Sequence, residues 1–194
     1  MNKRVFIIHG WEGFPEESWF PWLKKELEKK GFEATVPQMP DAANPRIYNW
    51  IPAIAKEVGN VDENTYFVGH SIGSQAVARF IESLPRNTKI GGAIFVGGFF
   101  KRLTGLEDDK DVQKTDRHWL TAPIDFKKVK SKIKKSIAIF SEDDPWVPLD
   151  NRDDFRDKLS SKIIIVKGYK HFSGDDGVKK LPVALDAILE ISKN

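Results

Sequence analysis

The chain has 194 residues, and a domain of that length buries about 70% of the surface its unfolded chain exposes, so one sizeable core is the default. Its 31 Lys plus Arg stand against 28 Asp plus Glu, and a formal net charge of +3 is too slight to argue for nucleic acid or an anionic membrane as partner. With no cysteine there is neither a disulfide frame nor a thiol nucleophile, and with no leader-like segment or apolar run near the ~20 residues that span a bilayer, a soluble cytoplasmic single domain over 1–194 is expected.

In chain order, short apolar runs at Arg4–Ile8, Glu33–Val36, Thr65–Val68, Ile90–Val96, Ser136–Phe140 and Lys162–Val166 read as strands. Runs without polar alternation suit strands buried on both faces of a parallel sheet. Between them, helices are expected over Ser18–Lys30, Arg46–Val58, Gly73–Leu84, Asp150–Leu159 and Val178–Ser192, with Gly31 closing the first and Ser18 and Asp150 available as N-caps. Alternation of strand and helix predicts a doubly wound α/β fold with about six mostly parallel strands and helices on both faces.

Right-handed crossovers put every strand-to-helix loop along one sheet edge, which is where such folds bind ligands. Those loops are His9–Glu17, Pro37–Pro45, Gly69–Gly73, Gly97–Asp125, Ser141–Leu149 and Lys167–Gly177. The fourth far exceeds the usual 2–6 residues. Its acidic run Glu107-Asp108-Asp109-Lys110-Asp111 is expected to stay solvated, and the segment reads equally as a cover over the site or a plain surface excursion.

Gly69-His70-Ser71-Ile72-Gly73 fits the nucleophile-elbow pattern G-x-S-x-G, in which a tight strand-to-helix turn pushes the serine hydroxyl out above the sheet. A serine hydroxyl attacks well only when a base takes its proton, and an imidazole can accept that proton and later return it. His171, in the loop after the last strand, can serve as that base. A carboxylate on its other nitrogen would fix the tautomer and stabilise the imidazolium. Asp144 is the candidate, with Asp143 as a rival that otherwise reads as a turn residue. The order Ser71, Asp144, His171 is the one expected of an α/β-hydrolase. For the oxyanion, the backbone N–H groups of Ile72, at a helix start, and of Trp11, after Gly10 at the first strand's exit, are the expected donors.

Taken together, His9-Gly10-Trp11, Trp19-Phe20-Pro21-Trp22-Leu23-Lys24, Met39-Pro40, Gly69-His70-Ser71-Ile72-Gly73, Gly97-Gly98-Phe99 and Asp144-Pro-Trp-Val-Pro148 resemble the small serine hydrolases of the α/β-hydrolase fold related to retinoblastoma-binding protein 9 and bacterial YdeN. The resemblance covers nearly the whole chain and implies no large cap domain. It implies the same three residues as nucleophile, acid and base. Where many relatives have Gly-His-Phe, this chain has Tyr169-Lys170-His171-Phe172, and the sequence does not fix which way Lys170 points. The reading is an enzyme cleaving small, partly apolar carboxylic esters through an acyl-enzyme on Ser71. An amidase or aminopeptidase-like hydrolase, or a weakly catalytic protein-binding module on the same fold, remain open; no protein partner is identified.

His9, Gly10, Phe99, Trp119 and Trp146 are candidate pocket lining, although Trp119 and Trp146, like Trp11, could equally pack, and Trp19, Trp22 and Trp50 read as core. His70 reads as packing behind the elbow, His9 as structural, and His118 as a surface or loop-packing residue. No cofactor and no metal are expected, because the histidines show no short ligand spacing and the pairs Asp108-Asp109 and Asp175-Asp176 lie in polar loops. The six lysines of Lys127–Lys135, with Phe126, Val129 and Ile133 at helical spacing, read as the wet side of an amphipathic helix.

Overall fold

The computed structural model describes residues 2–105 and 110–193. Among these, six strands form one sheet: β1 (Arg4–Ile8), β2 (Glu33–Thr35), β3 (Thr65–His70), β4 (Ile90–Val96), β5 (Ile133–Ser141) and β6 (Lys162–Val166). They pair in the order β2-β1-β3-β4-β5-β6, and all five pairings are parallel. The helices are α1 (Phe20–Lys29), α2 (Ile47–Val58), α3 (Ile72–Ser83), α4 (Lys110–Thr121), α5 (Phe126–Lys132), α6 (Asn151–Leu159) and α7 (Pro182–Ile191).

Successive strand residues point to opposite faces, and the two faces bury two separate cores. Phe6, Ile8, Phe67, Phe95, Ala138 and Phe140 pack with Trp50 of α2, Ala76 of α3, Val129 of α5 and Phe155 of α6. Val5, Ile7, Val68, Ile94, Val96 and Ile139 pack with Phe20, Leu23 and Leu27 of α1 and with Ala184 and Ile188 of α7. Burial on both faces is why the strands carry unbroken apolar runs.

β1 leads through α1 to β2 on one side of it, whereas β3 leads through α3 to β4 on the other, and α1 and α3 lie on opposite faces. The strand order therefore reverses between β1 and β3, the point at which open α/β sheets take ligands outside the carboxyl ends of their strands. Gly69-His70-Ser71-Ile72-Gly73 sits at that point.

Three expectations need correction. Ser18 is not the N-cap of α1, which starts at Phe20; its hydroxyl instead faces the carbonyls of Phe172 and Val178, at 3.0 and 2.9 Å. Asp150 does precede α6, but its carboxylate accepts from Arg102 Nε at 3.1 Å and caps no helix amide. The helix expected over Lys127–Lys135 ends at Lys132, because Ile133 already pairs with Ile90 and starts β5. Lys132 is buried, and its Nζ donates to the carbonyls of Ile81, Glu82 and Leu84 at the end of α3. Carbonyls left open at a helix C-terminus attract such a cation.

The long segment 97–125 is not a bare loop, since α4 occupies Lys110–Thr121. Arg79 of α3 holds the end of α4 by donating to the carbonyls of Trp119 and Ala122, both at 2.8 Å, and Pro123, at 3.2 Å. Glu107, Asp108 and Asp109 of the acidic run lie outside the described residues. No helix among the described residues is long and apolar enough to cross a membrane.

Candidate active site

Ser71 takes φ +53° and ψ −125°, a conformation an L-residue adopts only when its surroundings impose it. They do so here from both sides: Ser71 N donates to Val96 O at 2.9 Å, and Ser74 N donates back to Ser71 O at 2.9 Å. The flanking glycines are required by space. A Cβ on Gly69 would lie 2.6 Å from Ser74 Cα, and one on Gly73 would lie 2.4 Å from Ile8 O and 2.5 Å from His9 O. Main-chain atoms at the centre of the sheet have little room to retreat. Gly73→Ala is therefore expected to destabilise the fold by about 3 kcal/mol or more, read as a lower urea midpoint, because α3 must move off β1. A variant as stable as wild type would refute that packing account.

Two strand-exit loops, those carrying Asp144 and His171, meet above this elbow. Ser71 Oγ donates to His171 Nε2 at 2.9 Å, and His171 Nδ1 donates to Asp144 Oδ2 at 2.8 Å. The Asp144 side chain is 2% exposed, and its Oδ1 accepts from Trp146 N and Val147 N, both at 2.9 Å. Hydrogen bonds of this kind fix the carboxylate's orientation. Asp143 does not reach the imidazole. Its carboxylate accepts from Ser141 Oγ at 2.7 Å and Gly168 N at 2.9 Å, joining the loops that follow β5 and β6. Under the pair, Gly97 at φ +52° leaves space where a Cβ would stand 3.6 Å from both Asp144 Oδ2 and His171 Cε1. Lys170 points away, 60% exposed, with Nζ 3.9 Å from Asp176 Oδ1.

The first strand's exit lies directly beside the serine. A Cβ on Gly10 would be 3.2 Å from both Ser71 Cβ and His70 Nδ1, so any larger residue would have to push these neighbours aside. The N–H of Trp11, next in the chain, and that of Ile72, the first residue of α3, have no protein acceptor among the described residues. His9 supports this turn from beneath and does not line a pocket. It is fully buried, its Nδ1 donates to Gly10 O at 2.8 Å and its Nε2 accepts from Met39 N at 3.0 Å.

His70 packs behind the elbow against the rings of Trp19 and Phe20, and its Nε2 donates to His171 O at 2.8 Å. Burial, helped by the neighbouring His171 ring, pushes its pKa down to about 3. Burial also lowers that of His9. In the unfolded chain an imidazole takes its proton near 6.5, so between there and about 3 the unfolded state binds a proton that the folded state refuses. His70's contribution is thus whole above pH 6.5 and is lost as pH falls through that window, on the order of 5 kcal/mol in total. Urea unfolding at a series of pH values is expected to show a shallower acid loss in His70→Gln than in wild type. Identical slopes would count against it.

Phe99 and Trp119, expected as possible lining, belong to the core. Both are buried, and the Trp119 indole donates to Pro45 O at 2.9 Å and meets Trp50 edge-on. Trp119 falls on α4, and so does His118, not in a loop. Trp146, 37% exposed, and the half-exposed Trp11 remain at the surface of the strand-exit edge. Trp19 and Trp50 are core as expected, while Trp22 is only partly covered. Asp176, read from the sequence only as part of a polar loop, has its Oδ2 accepting from His171 N at 3.0 Å. Ser173-x-x-Asp176 is a local turn pattern that would have flagged it. Among the described residues no three His, Asp or Glu side chains gather as a metal site.

The serine hydrolase family model matches residues 5–190. YdeN of Bacillus subtilis (strain 168) is 34% identical over 188 residues, covering 97% of this chain and 95% of that protein. The crystal structure of the B. subtilis ydeN gene product superposes with a TM-score of 0.88 over 98% of both chains, at 32% identity. The serine hydrolase RBBP9 of Rattus norvegicus is 28% identical over 159 residues, 81% of this chain and 80% of its own. A match that runs from β1 into α7 takes in the elbow and both strand-exit loops that converge on it, and by that match the chain belongs to the serine hydrolase family, on an α/β-hydrolase fold without a large cap.

Proposed function

We propose that this serine hydrolase cleaves small, partly apolar carboxylic esters through an acyl-enzyme on Ser71. The observation that carries the reading is the unbroken path from Ser71 Oγ through the His171 ring to Asp144 Oδ2, with links of 2.9 and 2.8 Å. As Oγ attacks the ester carbon, His171 Nε2 takes its proton, and the imidazolium so formed is stabilised by the Asp144 carboxylate. The carbonyl oxygen becomes an oxyanion, which the N–H groups of Trp11 and Ile72 receive. Each such donor is worth about 3–4 kcal/mol of transition-state stabilisation, and the amide at the start of α3 adds the helix's partial positive charge. His171 then protonates the departing alkoxide, and a water deprotonated by the same nitrogen releases the acid.

Support for a small substrate comes from the close approach of the glycine turn to the serine, a Cβ on Gly10 standing 3.2 Å from Ser71 Cβ, on a fold without a large cap. Incubation with a fluorophosphonate, followed by peptide mapping, is expected to place one adduct on Ser71. Folded protein without that adduct would overturn the proposal. Turnover of aminoacyl amides as fast as of matched esters would replace the ester reading with an amidase.

A further inference from the structure

We infer that Asp176 and His70 are positioning residues that set the His171 imidazole by gripping its main chain. This rests on the reading of His171 as the base. His171 lies in neither a helix nor a strand, yet side chains hold both of its peptide groups. Its N–H donates to Asp176 Oδ2 at 3.0 Å, and its carbonyl accepts from His70 Nε2 at 2.8 Å. The grip is directional. Asp176 Oδ2 also accepts from Ser173 N at 3.1 Å and Ser173 Oγ at 2.8 Å, so three donors converge on one oxygen of a side chain only 14% exposed.

The backbone on either side needs such a hold. Lys170 and Phe172 stand at φ +44° and φ +60°, left-handed values that non-glycine residues leave when they are free to. Phe172 O is tied by the Trp19 indole at 2.9 Å, and among the described residues the His171 main chain is held by Asp176 and His70. The ring's own hydrogen bonds, to Ser71 and Asp144, orient the imidazole but do not hold the main chain that carries it. His70 adds a second link. It immediately precedes Ser71, so the same residue that buttresses the elbow holds the opposite loop, and nucleophile and base are referred to one rigid point.

Misplacement of a reacting group by about 1 Å can lower a rate ~100-fold, while substrate binding at a separate surface need not change. Wild type, Asp176→Ala and Asp176→Asn are to be compared in 4-nitrophenyl acetate hydrolysis, in the rate of fluorophosphonate labelling at Ser71, and in urea unfolding. Asp176→Ala is expected to lose about 10- to 100-fold in kcat and in labelling rate, with KM within about threefold. Asp176→Asn keeps an amide oxygen for the three donors and is expected to return to within about threefold of wild type. A merely structural carboxylate would shift the urea midpoint without this split and without this rescue.

The inference falls if Asp176→Ala keeps wild-type kcat and labelling, if the loss appears in KM alone, or if Asn does no better than Ala. Should Asp176→Ala fail to fold, Asp176→Glu displaces the same oxygen by one methylene while keeping charge. Its kcat should drop by about tenfold, and an unchanged kcat would overturn the inference. Folded wild type that neither hydrolyses the ester nor labels would sink the functional reading and this one with it. Wild type that does both while Asp176→Ala matches it sinks the positioning role alone.

Discussion

Ser71→Ala is expected to lower kcat on 4-nitrophenyl acetate by about 10⁴- to 10⁶-fold and to abolish fluorophosphonate labelling, with the fold left intact. Among the described residues the Ser71 hydroxyl has one polar partner, His171 Nε2. Alanine keeps the Cβ, and with it the contacts that hold the elbow, including the Ser71 N to Val96 O bond. The substitution therefore removes the attacking atom and almost nothing else, and stability should stay within about 1 kcal/mol of wild type. A residual rate is expected as well. The N–H groups of Trp11 and Ile72 are main-chain donors that the substitution leaves in place, and they can still stabilise the oxyanion formed when water attacks. Retention of more than about 1% of wild-type kcat in a folded Ser71→Ala protein would mean that the chemistry runs elsewhere.

The expectation that these residues act together could be formed from the chain because each stands at a place where topology leaves little choice. A parallel sheet sends every strand-exit loop to one edge, so Ser71, Asp144 and His171 share that edge once their strands are identified. The strands were legible because burial on both faces demands apolar runs such as Tyr66-Phe67-Val68 and Ile137-Ala138-Ile139-Phe140. What that logic leaves open is settled by contacts between loops. Asp143 and Asp144 are neighbours of identical chemistry, and they are separated by what lies opposite each: Gly168 N for one, the His171 ring for the other. The turn reading of Asp143 already favours Asp144, and the facing groups complete the distinction.

Lys132 and α4 show the same limit in the core. Lysines spaced along an amphipathic segment read as a solvated face, yet Lys132 ends among the terminal carbonyls of α3 because α5 docks there. Long-range partners outweigh composition. In α4, the sequence around His118-Trp119-Leu120 is too polar to announce a helix that buries an indole. Trp119 is drawn in by Trp50 and by Pro45 O, and Arg79 satisfies the carbonyls at its end. A tertiary frame of this kind overrides weak helix propensity.

Asp144→Asn is expected to lower kcat by about 10³- to 10⁴-fold while leaving KM and stability much closer to wild type. The size of the effect follows from which way the new amide must face. Asp144 Oδ1 accepts from Trp146 N and Val147 N, two fixed donors that would clash with an NH2 group, so the asparagine oxygen has to take that place. Its NH2 then faces His171 Nδ1. A donor there requires Nδ1 to be the bare nitrogen, which moves the ring's proton to Nε2, the atom that faces Ser71 Oγ. An imidazole protonated at Nε2 cannot receive the serine hydrogen, and the imidazolium formed on any productive attack lacks its carboxylate. Both losses act on the transition state and not on substrate binding, so kcat and the labelling rate should fall together. Asp143→Asn serves as the matched control. Its carboxylate braces Ser141 and Gly168, and its replacement should leave kcat within about threefold of wild type. A reversed ranking of the two variants would move the orienting role from Asp144 to its neighbour.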